Sequence, residues 1–440
     1  MDESACPLPT ADPQTGLEAL RQLIGQRSLL AALEVMHAEV GDRFQITLPR
    51  FRPAVLVGPE HNRSLLVSDR HKFSWRNESD PVVKLLRQGV LIVDGEKHDK
   101  LRALMDPLLY RRTVNEHVEA MWRYTDPILA TWQEGETRDM LVEMRKVALL
   151  VLMGTLFKVD VLPDLERIWT PILKSIKYIS PGLWIVWPNA PRFGYDEPLR
   201  QLDDYLYGLI KRRRAQLPDD GDLLGRLINA GLDDDLIRDQ MLTMLIAGHD
   251  TSTALLAWCL YLLGRHAGAL NKVKAEIDAV VGNDPPTLAH LDDLLYLDQV
   301  IKETLRLYPP IHIGNRRVSE DTVLDGYLIP AETRVMYSIY LSHRHPEFWE
   351  DPDQFRPERF DRLERRGQPP LTYVPFGAGP RNCIGAAFAQ VEAKVILTRI
   401  LQRFNLTLLE DKVSTYMGAT LEPRPGVSMW VSQRTFGQRR

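Results

Sequence analysis

Cysteine is scarce in this chain of 440 residues. The three cysteines, Cys6, Cys259 and Cys383, are odd in number and widely spaced, which excludes a disulfide framework and zinc-type Cys spacing. So little cysteine fits a reducing compartment. Long apolar stretches are also missing. The longest, Val147 to Phe157, has about eleven residues, well below the roughly 20 that a bilayer-crossing helix needs. Met1 to Gly16 is polar and contains proline, with no signal-type apolar region. The expectation is a soluble, cytoplasmic chain without a membrane anchor. Neither sign of charge dominates: 55 Lys and Arg face 59 Asp and Glu, for a net charge of −4. That balance gives no reason to expect nucleic acid or an anionic membrane as partner. The basic run Lys211 to Arg214 lies in a helical pattern and reads as a solvated face. There are no internal repeats and no low-complexity linker.

What is present is mostly helical patterning. Helices are predicted over Gly16–Glu39, Pro59–Asp69, Glu96–Leu109, Thr113–Glu134, Met140–Phe157, Leu162–Ile179, Leu199–Leu217, Leu270–Val281 and Leu288–Tyr308. Asp233 to His266 reads as one long helix, capped by aspartates and apolar nearly all round its middle, hence buried. Asp42–Leu48 and Ala54–Leu56 read as a hairpin, Phe73–Leu91 as a long loop, and Pro181–Pro198 as a breaker region. Short strands are predicted at Asn315–Val318, Val323–Leu324, Tyr327–Leu328 and Arg334–Tyr337. The expected class is mainly α with small β-sheets (α+β), in a single domain over 1–440 whose first sixteen residues are poorly ordered.

Cys383 stands in a glycine-rich loop, Tyr373 to Ala386, directly before an alanine-rich helical pattern that runs to about Phe404. Backbone N–H groups and the helix dipole lower a thiol's pKa at such a place. A thiolate held there can ligate heme iron. An inert loop cysteine is the alternative for an isolated Cys. Gly377, Gly379 and Gly385 permit positive φ and let a flat group approach the backbone. Arg381 is placed to pair with an acidic cofactor group.

The long helix carries Ala247-Gly248-His249-Asp250-Thr251-Ser252 at its apolar centre. Polar groups there need partners. A helix bend with Thr251 bonding back one turn, a buried network and a proton relay are all compatible with the residues. Glu303 and Arg306 sit at i and i+3 on a predicted helix and can pair. His98 and Arg102 share another helix face, either as an exposed basic turn or as donors to an anion.

Phe376-x-x-Gly379-x-Arg381-x-Cys383-x-Gly385 matches in full the heme signature of the cytochrome P-450 family, which this chain resembles. Ala247-Gly-x-Asp-Thr251, Glu303-x-x-Arg306 and Phe355-Arg-Pro-Glu-Arg-Phe360 match the family's other motifs in order, from roughly Asp42 onward. The resemblance implies a cytochrome P-450 fold, with heme b between the long central helix and the cysteine loop. It implies Cys383 as iron ligand, with Phe376, Gly377, Ala247 and Gly248 around the heme and Gly248 opening room over it. His98, Arg102, Arg316 (Arg317 if the register slips by one) and Arg381 would meet the propionates. Asp250 and Thr251 would deliver protons, and His249, at a variable position, has no assigned role. Glu303, Arg306 and Arg359 would form a structural ion network. Ile311, Ile313 and Met417 would line the substrate pocket, together with Ser74–Leu91, residues 181–198 and Leu245–Thr251.

The implied activity is that of a monooxygenase inserting one oxygen atom of O2 into an apolar substrate by hydroxylation or epoxidation. The substrate would be an isoprenoid, carotenoid, fatty acid or steroid-like molecule. A peroxide-driven peroxygenase and a non-catalytic heme protein are the alternatives. The resemblance implies a soluble bacterial-type form with no fused reductase domain. Electrons would come from NAD(P)H through a reductase and a ferredoxin or flavodoxin-type donor. Lys97, Lys100, Arg111, Arg112 and Arg365 are candidates for the donor's docking patch.

Overall fold

Residues 5–434 are described by a computed structural model, apart from 27, 50, 76, 79, 183–191 and 217–220. The core is built round the Asp234–Arg265 helix, 32 residues long. Asp233 caps it by accepting a hydrogen bond from the Leu236 N–H at 2.7 Å. Asp234 and Asp235 in the first turn and Arg265 in the last complement the helix dipole. From Ile237 to Leu263 nearly every side chain is buried, as the all-round apolar pattern demands. Its main packing partner is the Met140–Leu156 helix, itself buried along most of its length.

The small sheets sit beside this helical body. Five strands run in the order Arg43–Gln45, Ala54–Leu56, Arg334–Ser338, Ile313–Val318, Phe73–Ser74. The predicted hairpin forms, with Phe44 opposite Val55. In Ile313–Val318 burial alternates strictly, so Gly314, Arg316 and Val318 face inward. Arg317 points out and pairs with Glu332. The one-residue ambiguity at this strand is thus resolved in favour of Arg316.

Several expectations need correction. Within the 1–16 segment, described from residue 5, regular structure is present. Cys6–Pro7 pairs in parallel with Tyr327–Leu328, and a helix starts at Pro13. Phe73–Leu91 contains a two-residue strand and the Pro81–Leu86 helix. The basic run is not wholly solvated: Arg213 turns inward to Asp222 and to the Phe157 carbonyl. The C-terminal strands Phe404–Leu408, Ser414–Met417, Leu421–Arg424 and Ser428–Gln433 were not foreseen. Leu421–Arg424 carries proline and charge, and Phe404–Leu408, although it alternates, follows the Ala386–Arg403 helix without a break. Half of the 181–198 breaker region, residues 183–191, lies outside the described residues.

Glu303 anchors the other side of the body. Its carboxylate accepts from Arg306 Nε and Nη2 at 2.8 Å each, Arg359 Nε at 3.0 Å and the Arg356 backbone N–H at 3.0 Å. Glu303 and Arg306 are completely buried. The remaining guanidinium donors go to the carbonyls of His343, Pro352, Gln354, Glu350 and Asp351. His343 in turn accepts the Val374 N–H at 2.8 Å, at the start of the cysteine loop. Burial, then the Arg306 and Arg344 charges, push His343 down to about 3, so it stays neutral and able to accept. Glu303→Ala leaves two buried guanidiniums unpaired. It is expected to cost ~3–5 kcal/mol, read as a lowered denaturation midpoint, with loss of heme loading on expression. Full stability and loading in that variant would remove the structural role.

Candidate active site

The cysteine loop is closed by short backbone bonds. Cys383 N–H donates to the Phe376 carbonyl at 2.7 Å, and Gly377 N–H to the Val374 carbonyl at 3.0 Å. Gly379 has φ +66°, and a Cβ there would stand 2.2 Å from the Leu66 carbonyl oxygen, so only glycine fits. Gly377 is also at positive φ, whereas Gly385 is not. Gly385 instead opens the Ala386–Arg403 helix and turns its N–H toward the Cys383 sulfur. Cys383 is accessible to solvent yet enclosed by protein on most sides, the position of a group on the floor of a recess. Its thiol does not show the lowered pKa expected from a helix start. Burial pushes it up and outweighs the Gly385 N–H and the Arg102 charge, which both act downward. A coordinated metal would remove that proton outright.

Cations gather beside the loop. Arg102 grips it directly, with Nη1 on the Asn382 carbonyl at 2.8 Å and Nη2 on Asn382 Oδ1 at 3.0 Å, while Nε holds Asp106. His98 uses Nδ1 on Asp99 at 2.9 Å. Arg381 is tied to Asp94 and to the Val93 carbonyl, a protein carboxylate taking the place expected for a cofactor acid. Arg316 is different. It is 8% exposed, bonds only the Asn315 carbonyl, at 2.7 Å, and has no carboxylate partner among the described residues. Its guanidinium lies over the rings of Trp75 at 5.5 Å and Tyr337 at 5.4 Å. The Arg316 and Arg102 charges both act to lower the Arg381 pKa. A buried cation without an anion, close to further cations, fits a site for an acidic group. With the accessible thiol, this donor set fits heme: one soft ligand for iron and cationic partners for carboxylates.

On the central helix the burial pattern breaks at one place. Ala247 is exposed and Gly248 and Thr251 are half-buried, whereas Leu245, Ile246, His249 and Asp250 are buried. Gly248 does not open room over a cofactor as expected. A Cβ there would meet Leu152 Cδ1 at 2.9 Å, so its bareness serves the close approach of the Met140–Leu156 helix. Ala247 supplies the open face instead. Thr251 Oγ1 donates back to the Ala247 carbonyl at 2.6 Å. Asp250 points elsewhere: its Oδ2 accepts from Thr420 Oγ1 at 2.7 Å, so acid and alcohol are not directly bonded. Burial, then the nearby Glu422 carboxylate, push Asp250 up to about 7. His249 Nε2 meets the Arg145 carbonyl at 3.0 Å.

Sequence reasoning missed Ser252 and Glu392. Ser252 Oγ donates to Glu392 Oε2 at 2.5 Å, tying the polar turn to the helix that follows Cys383. Burial pushes Glu392 up to about 8. A lone glutamate between Val391 and Ala393 in an apolar helical pattern was the available signal. Of the pocket candidates, Ile313 and Met417 pack partly buried on one sheet-side cluster, while Ile311 is exposed. A cleft of about 190 Å³ lined by Ile301, Leu305, Pro375, Phe376, Gly377 and Gln390 lies behind the loop and includes no central-helix residue.

Comparison with known proteins agrees with this geometry. The family model described as Cytochrome P450 matches residues 13–427, starting earlier than the motifs alone suggested. The chain is 31% identical over 382 residues to the "Cyclooctat-9-en-7-ol 5-monooxygenase" of Streptomyces melanosporofaciens, covering 83% of each chain. It is 30% identical over 409 residues to the "Putative cytochrome P450 139" of Mycobacterium tuberculosis, covering 87% of this chain and 93% of that one. Among solved structures, the cytochrome P450DA heme domain superposes with a TM-score of 0.86 at 25% identity, covering 98% of both chains.

The reassignment of Gly248 can be tested directly. Gly248→Ala is expected to destabilise the protein by about 1–3 kcal/mol through overpacking. Adding Leu152→Ala should recover part of that loss. Equal destabilisation with and without the Leu152 change, measured by denaturant titration, would return Gly248 to the cofactor face.

Proposed function

The chain belongs to the cytochrome P450 family and is a heme-thiolate, P450-type monooxygenase, and from that premise we propose that Cys383 holds the iron, that Asp250 and Thr251 manage protons, and that an external donor supplies electrons. The observation that carries the site is the accessible thiol of Cys383 in a loop gripped by Arg102, with the unpaired Arg316 close by. His98, Arg102, Arg316 and Arg381 would hold the heme carboxylates, Arg316 above all because its charge has no anion among the described residues. Phe376 and Gly377 on the loop and Ala247 on the central helix would flank the ring. Bound there, heme supplies O2 activation, with a thiolate ligand that pushes electron density toward iron and favours O–O cleavage.

The chain's own part is to place and ration protons. Thr251 commits its hydroxyl hydrogen to Ala247, which leaves the oxygen's lone pairs free to accept. Asp250, held near 7, carries a proton for part of the time at neutral pH and can release it. A proton passing from Asp250 to Thr251 crosses by carboxyl rotation or through water. The buried aliphatic residues around this turn keep bulk solvent out, which strengthens each of these interactions.

The electron donor would be a ferredoxin or flavodoxin-type protein fed by NAD(P)H, as the family membership suggests. Its docking patch would draw on exposed cations, most of which already have a partner. Lys100 is paired with Glu96, and Arg365 stacks on Phe360 and Tyr373. Arg111 and Arg112 are exposed on the short helix after Tyr110, and Lys97 meets Gln88. The substrate is apolar and of isoprenoid type. Support comes from relatives named for cyclooctat-9-en-7-ol and cyclooctatin.

Reconstitution with ferredoxin, reductase and NAD(P)H should consume O2 and yield oxidised product from a terpenoid panel. Turnover with peroxide alone would favour a peroxygenase. Cys383→Ser should abolish the long-wavelength absorption band of the reduced carbon monoxide complex, and survival of that band would move the ligand elsewhere. Thr251→Ala should lower product formation ~10²-fold while O2 uptake continues and peroxide accumulates. Unchanged product per O2 would count against the proton role.

A further inference from the structure

Asp250 has partners that come from far along the chain. It is 1% exposed. Thr420 donates to its Oδ2, and its Oδ1 is buried without a donor among the described residues. Thr420 lies in the bend just before the Leu421–Arg424 strand, and Glu422 is the second residue of that strand. Glu422 also reaches Asp250, and the two carboxyls lie within hydrogen-bonding range. On its other side Glu422 is ion-paired with Arg145, from the Met140–Leu156 helix. The groups facing Asp250 are thus Thr420, Glu422 and Arg145. His249, its neighbour in sequence, is pushed down to about 4 by burial and the Arg145 charge, and stays neutral.

Two ionised carboxylates in contact at a dry site repel each other, and neither would satisfy Oδ1. One proton between them removes the repulsion and gives Oδ1 its missing donor. We propose that Asp250 and Glu422 share a single proton in the resting enzyme, and that Glu422 reloads it from solvent. Glu422 is then a positioning and proton-supply residue, and this role rests on the reading of Asp250 as proton donor. The Glu422 and Arg145 side chains are 12% and 15% exposed, so this pair reaches water while Asp250 does not. Arg145 stabilises negative charge on Glu422, which biases the shared proton toward Asp250. When Asp250 releases the proton toward Thr251, Glu422 takes one from water and passes it across the shared bond. Arg145 stays charged throughout, and no electron moves in this step.

The test uses the heme-loaded resting enzyme and its infrared absorption from protonated carboxyls as a function of pH. The wild type should show a buried carboxyl band, absent in Asp250→Asn, that titrates near neutrality. Glu422→Gln keeps the side-chain shape and should lower the midpoint by ~1 unit or more. Arg145→Gln should raise it. Opposite shifts support the shared proton. No shift in Glu422→Gln, or shifts of the same sign in both variants, would overturn it. The supply role is read from product formed per O2 against pH, where Glu422→Gln should narrow the productive range. If the midpoints shift but Asp250→Asn keeps wild-type coupling, the shared proton stands, and the donor reading of Asp250 falls together with the supply role.

Discussion

One buried carboxylate, that of Glu303, holds the cysteine side of this molecule together. It takes donors from Arg306, Arg359 and the Arg356 backbone, and is fully shielded from water. A charge in that position costs several kcal/mol unless it is paired and hydrogen-bonded, and here four donors meet it. The consequence spreads outward. Arg306 orders the carbonyls of the 343–354 segment, His343 holds Val374, and Val374 leads into the turn that closes on Cys383. The thiol's position therefore depends on an ion pair far from it in sequence.

The recess shows two ways of managing buried charge. Beside the loop, Arg102, Arg316 and Arg381 are brought close, and Arg316 has no carboxylate partner among the described residues. That surplus suits an acidic ligand, which gains what the protein leaves unmet. On the central helix the surplus has the other sign, with Asp250 and Glu422 in contact and Arg145 offsetting only one charge. That surplus is met by a proton, which can leave. A fixed cation excess suits retention of a cofactor, and a carboxyl excess suits transfer.

Much of this was legible residue by residue. The capped apolar run predicted the central helix to within a residue at each end. Strand alternation separated Arg316 from Arg317 as soon as the strand's inner face was known. Gly248 shows the limit. A bare position in a functional motif was read as space for a cofactor, whereas its missing side chain accommodates Leu152 on another helix. Likewise, Cys383 at a helix start suggested a lowered pKa, but the density of protein around it acts more strongly than the local dipole.

The sequence by itself determined the family, the helical class, the thiol, the acid–alcohol turn and the Glu303–Arg306 pair. These are carried by local spacing, and helix and strand periods act over a few residues. Tertiary structure alone decided which groups meet across the fold. Thr420 reaches Asp250 over 170 residues of chain, and Glu392 reaches Ser252 over 140. No local pattern encodes such meetings. They arise when buried polar groups, unable to reach water, settle on whatever partner packing brings within hydrogen-bond distance.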